Sequence, residues 1–119
     1  MGVFINLSNH PHENWGEKQM AEAERYGEVI DLPFPMIDAK ADEKEIDSLA
    51  DQYCHTILKY QPAAVMCQGE FTFSFSLISR LLDRGITVVA ACSESIAREN
   101  NGIKTSEFRF TRFREYRKA

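Results

Sequence analysis

Apolar positions fall in short blocks separated by Gly, Pro and polar turns. Val3-Phe4-Ile5-Asn6-Leu7 suits a buried strand, and Ser8-Asn9-His10-Pro11 breaks it. Asn14 followed three residues later by Glu17 has the form of a capping box. It predicts a helix from near Trp15 to Tyr26, with Gly27 as terminator. Residues 28–32 read as a second strand, stopped by Pro33 and Pro35. Asp42 and Glu45 repeat the capping signature ahead of Ile46, Leu49, Ala50, Tyr53 and Ile57, whose spacing predicts a helix ending near Tyr60. Residues 63–67 carry no charge and predict a strand covered on both faces. Between 71 and 84, Phe71, Phe73 and Phe75 alternate as in a strand, whereas Leu77, Ile78, Leu81 and Leu82 repeat as in a helix. A helix is expected, because parallel strands need a crossover between them. A fourth strand follows at 86–92, extensible to about Arg98. Asn100-Asn101-Gly102 is a hairpin turn, and Phe108, Phe110, Phe113 and Tyr116 mark a fifth, antiparallel strand.

This alternation predicts a doubly wound, Rossmann-like α/β sheet of order 2-1-3-4-5, with an antiparallel edge strand. The order reverses between strands one and three, and ligands bind outside the carboxyl ends of the strands at such a reversal. Two loops should meet there: residues 8–14 and residues 68–72.

Composition narrows the class. The 119 residues make one domain, 1–119, with 44% hydrophobic and 27% charged residues. The apolar runs are too short to span a membrane, and the amino terminus lacks the pattern of a signal peptide. A cytoplasmic protein is expected. Cys54, Cys67 and Cys92, odd in number and widely spaced, read as reduced core residues. The net charge of −4 argues against a long nucleic acid as partner. The charge is nonetheless uneven. Residues 13–51 are acidic, while the tail carries Lys104, Arg109, Arg112, Arg114, Arg117 and Lys118. That tail reads as a solvated edge strand protected by charge, with contact to a small polyphosphate as the alternative.

Two clusters carry candidate chemistry. In the first, Ser8, Asn9 and His10, with His12 a weaker member, combine hydroxyl, amide and imidazole groups at the end of a strand; such groups hold phosphate or ribose, and equally form turns. In the second, Gly69 permits a sharp turn or close backbone approach. Glu70 is either a base or a helix cap, Thr72 a candidate N-cap, and the amides of Glu70, Phe71 and Thr72 a candidate anion site. Ser93-Glu94-Ser95 either flanks the cleft or is ordinary hairpin surface. Walker, GxGxxG, HExxH and paired CxxC patterns are absent, so no cofactor and no metal site are expected.

NLSNHP after the first strand, GEFT after the third and the closing FRFTRFREY resemble small CRISPR-associated proteins with a Rossmann-like fold. That group includes CARF-type sensors and stand-alone ring nucleases. The resemblance implies a cyclic oligoadenylate ligand bound across a homodimer. In the nucleases a ribose 2′-hydroxyl attacks the adjacent phosphate without a metal. On this sequence Ser8, Asn9 and His10 would contact ribose and phosphate, with His10 and Ser8 as the catalytic pair. The amides from Gly69 to Thr72 would hold the phosphate. A non-catalytic nucleotide-binding or protein-interaction module is the alternative. The apolar strand ending at Tyr116 should pair with a partner, because exposed apolar edges invite pairing.

Overall fold

The structure, a computed structural model, describes residues 2–119. It alternates β1 (Val3–Leu7), α1 (Glu17–Glu24), β2 (Glu28–Asp31), α2 (Glu43–Lys59), β3 (Ala64–Cys67), α3 (Phe71–Asp83), β4 (Val88–Asn100) and β5 (Ile103–Glu115). The sheet order is β2-β1-β3-β4-β5, parallel except between β4 and β5. This is the expected doubly wound α/β arrangement.

Strand alternation sends neighbouring residues to opposite faces, and the two faces build two cores. Ile5, Leu7, Val65, Cys67 and Val88 pack beneath α2 and α3. Phe4, Ala64, Met66 and Val89 pack with Ala23 of α1 and Phe113 of β5 on the other face. Helices therefore lie on opposite faces either side of the reversal at β1 and β3. Cys54 and Cys67 are buried free thiols. Burial pushes Cys67 up to about 11, which keeps it an unreactive thiol near neutral pH.

Several boundaries differ from the sequence pattern. The Asn14–Glu17 capping box does not form. Instead His12–Asn14 makes a single 3-10 turn, and α1 starts at Glu17 with Gly16 as an N-cap that has no side chain to offer. The N-cap of α3 is Glu70 rather than Thr72. The hairpin takes the longer of its expected lengths: β4 runs past Arg98 to Asn100 and β5 begins at Ile103, so it closes at the expected turn. Asn101 and Gly102 both adopt positive φ (53° and 80°), the pair of left-handed residues that a two-residue hairpin turn demands. Beyond Cys92 the ribbon outruns β3 and leaves most of its residues exposed.

A bulge shapes this ribbon. Cys92 faces Arg112 and Ser93 faces Phe110, so Thr111 is the extra residue, and its hydroxyl donates to the Cys92 carbonyl (2.8 Å). The added residue resets the alternation. Phe110 and Phe113, three apart, share the α1 face with ring centroids 5.0 Å apart.

Candidate functional site

The carboxyl ends of β1 and β3 are adjacent, and the Gln68 amide donates to the Leu7 carbonyl at 3.1 Å. The Ser8 loop and the Gly69 loop thus leave the same edge of the sheet, as expected from the strand order. They lead to different places.

The first loop is built on Asn6, a buried strand residue. Its side-chain amide donates to Asp31 Oδ1 (2.8 Å) and to the His10 carbonyl (2.9 Å). Its oxygen accepts the Ser8 hydroxyl (2.7 Å), while Ser8 Oγ accepts the His10 amide (3.2 Å). Asp31, at the end of β2, also accepts the His12 amide (3.2 Å) and stands 2.9 Å from His12 Nδ1, near enough for an ion pair though not aligned as a hydrogen bond. Partial burial pulls the Asp31 carboxyl upward. Hydrogen bonds from Asn6 and His12 outweigh that, and the group stays ionised below the usual range. Ser8 and His12 are therefore committed to holding the loop. The imidazole of His10 and the side chain of Asn9 are exposed and make no hydrogen bond among the described residues.

A cleft of about 790 Å³ opens beside this loop. Ser8 and His10 line one side, the first turn of α1 a second, and the ribbon residues Ser93, Phe108 and Phe110 a third; Met66, Gln68 and Ala91 also line it. The Gln68 side chain accepts a hydrogen bond from the Ala91 amide and so ties the end of β3 to β4. Trp15, Phe108 and Phe110 give the cleft an aromatic lining. The first helical bond of α1 runs from the Met20 amide to the Gly16 carbonyl, so the amides of Glu17, Lys18 and Gln19 lie ahead of the helical ladder with no side-chain cap. Lys18 adds a positive charge and Glu17 a negative one. Arg109 borders the cleft, but strand alternation turns its side chain away from the face of Phe108 and Phe110. Its guanidinium stands 3.8 Å from Glu107.

The second loop leads elsewhere. Gly69 has no positive φ, and its close approach is to a side chain: a Cβ there would collide with the ring of Phe34. The Glu70 carboxylate accepts from the Phe73 amide (2.7 Å) and the Thr72 hydroxyl (2.7 Å), and these bonds hold it below the usual carboxylate range. Glu70 and Thr72 border a different depression with Asp38, Asp42, Glu43 and Asp47. Phe71 projects from α3 with 89% exposure. The structure accordingly gathers Ser8 and His10 at the main cleft and gives Asn9, Gly69, Glu70, Phe71 and Thr72 no part in its lining.

Trp15, Lys18 and Gln19 were not singled out by sequence reasoning, whereas Gln68 opens the loop 68–72 expected at the reversal. Only the polar residue after a buried strand, Gln68, carried a local signal. Among the described residues no three His, Cys, Asp or Glu side chains converge to hold a metal, and no helix is long and apolar enough to cross a membrane.

Comparison with protein families matches residues 2–114 to the family described as Uncharacterized protein MJ1673. The chain belongs to that family. No curated protein matches it.

Proposed function

We propose that the cleft beside α1 binds a cyclic oligoadenylate, and that the chain serves type III CRISPR defence in the cytoplasm by binding, and through His10 cleaving, that second messenger. The observation that carries this reading is the pairing of an uncapped helix N-terminus with aromatic rings around one cleft. A nucleotide brings an anion and a flat base. Open amides at the positive end of a helix suit the anion, with Lys18 beside them. Trp15, Phe108 and Phe110 suit the base, which stacks on aromatic faces. The volume lies within the range of small-molecule sites.

For cleavage, the 2′-hydroxyl must be held in line with the leaving oxygen, and a proton must move. His10 is the group in the lining with an uncommitted imidazole, the side-chain type most often used to move a proton in a reacting complex. Ser8 supports the alternative of binding without cleavage, because its proton already lies on Asn6.

Single-turnover incubation of cyclic tetra-adenylate with the protein in EDTA separates these readings. Turnover in the wild type that falls about 10²–10⁴-fold in His10→Ala, with affinity retained, supports cleavage by His10. Tight binding without product leaves the non-catalytic module. Absence of binding to both cyclic tetra- and hexa-adenylate overturns the ligand.

A further inference from the structure

The outer edge of β5 runs thirteen residues, Ile103–Glu115, at the end of the sheet with no strand beside it. Phe108 and Ile103 on it are 75% and 66% exposed. Long edges of this kind are templates for another strand unless they are covered or shortened. One carbonyl of the strand is met by a side chain: Arg112 Nε donates to the Phe113 carbonyl (3.1 Å).

We propose that this edge pairs with the same edge of a second copy, antiparallel about a two-fold axis at Arg109. Glu107 then lies opposite the partner's Arg112, Lys104 opposite the partner's Glu115, and Phe108 opposite the partner's Phe110.

Two constraints select this register. Residues opposed across an antiparallel pair must share a face of the sheet, and a two-fold axis normal to the sheet then passes through a residue. With Thr111 bulged out, Lys104, Ser106, Phe108, Phe110, Phe113 and Glu115 share one face, while Glu107, Arg109 and Arg112 share the other. The charges choose among the remaining slides. Moving the axis to Phe110 sets Arg109 against the partner's Arg112, and moving it to Phe108 sets Lys104 against the partner's Phe113. An axis at Phe108 covers as much of the edge and sets Glu107 opposite the partner's Arg109, but only the axis at Arg109 joins two different pairs of opposite charges, Glu107 with Arg112 and Lys104 with Glu115, pairs of the kind that stabilise cross-strand contacts. Its cost is Arg109 facing its own mate, moderated by the Glu107 carboxylate 3.8 Å from each guanidinium. Phe108 lines the cleft, so the partner's Phe110 would extend the aromatic side of each site. The pairing needs no ligand, so it stands or falls separately from the function proposed above.

Light scattering of the full chain without nucleotide tests it. The wild type is expected to be a dimer at roughly tens of micromolar, where a standard interface persists. Glu107→Arg and Arg112→Glu should each weaken self-association about tenfold or more, because each sets like charges opposite one another twice. An equimolar mixture of the two variants should restore the dimer, since every strand then meets an opposite charge at both positions. Should circular dichroism show either variant unfolded, Lys104→Glu mixed with Glu115→Lys repeats the test. A monomeric wild type, unimpaired single variants, or a mixture of folded variants that stays monomeric overturns the register.

Discussion

Three helices begin at the carboxyl edge of this sheet, and the first turns of α1 and α3 have opposite characters. α3 carries its own anion: Glu70 accepts from the Phe73 amide and the Thr72 hydroxyl, Phe34 lies across Gly69, and four more carboxylates border the depression. α1 starts at a glycine that caps nothing, beside a lysine, with a cleft in front of it. A helix N-terminus attracts an anion only while its amides are free. At α3 the protein has filled that role internally, and added phosphate would meet carboxylates. At α1 the role is unfilled. The difference teaches that topology alone selects the edge of the sheet, whereas capping selects which helix along that edge is open to a ligand.

The sharpest way to break the contrast is to give α1 what α3 has. Gly16 has φ −73°, and a Cβ there meets nothing within 4 Å, so Gly16→Asp should fold and supply a capping carboxylate. Affinity for cyclic tetra-adenylate should fall about 10–100-fold, the equivalent of losing a charge-assisted hydrogen bond. Calorimetric titration measures this. Unchanged affinity would mean that the α1 amides do not touch the ligand.

Gly69→Val tests the other side. The added side chain would overlap the Phe34 ring, and overpacking of this kind costs about 1–3 kcal/mol. Denaturant unfolding should show that loss, while binding at the main cleft stays within a few-fold of wild type. Loss of binding in a folded protein would instead restore the Gly69 loop to the site.

The smallest effect concerns the cap itself. Glu70→Gln should lower the melting temperature by a few degrees at pH 7. The Glu70 carboxyl is held below its ordinary value, so its contribution is complete above about pH 4–5 and disappears as the pH falls through the depressed value. Thermal melts of the two proteins should therefore converge in acid. A gap that stays constant down to about pH 3 would show that the charge of Glu70 is irrelevant to the cap.

Much of this was legible in local pattern. The uncharged run Ala64–Cys67, the helical spacing from Ile46 to Ile57 and the Asn101-Gly102 turn each declare an element through neighbouring residues, and the crossover rule assembles the elements into the observed order. The Ser8–His10 cluster was legible for the same reason, as a polar break directly after an apolar strand. Its division of labour was not. Ser8 looks as reactive as His10 in sequence, and only the burial of Asn6 and the approach of Asp31, twenty-five positions away, tie up one and leave the other free.

The sequence by itself therefore determined the strands, the helices and their order, because periodicity, caps and turns act over a few residues. Tertiary structure decided the rest, since it depends on which distant groups reach the same point. Phe34, from the segment after β2, occupies the space over Gly69. The bulge at Thr111 brings Phe110 onto the face of Phe113, and with it the aromatic side of the cleft. A helix N-terminus reads alike in sequence whether it is open or filled, and what fills it is settled only when the chain packs.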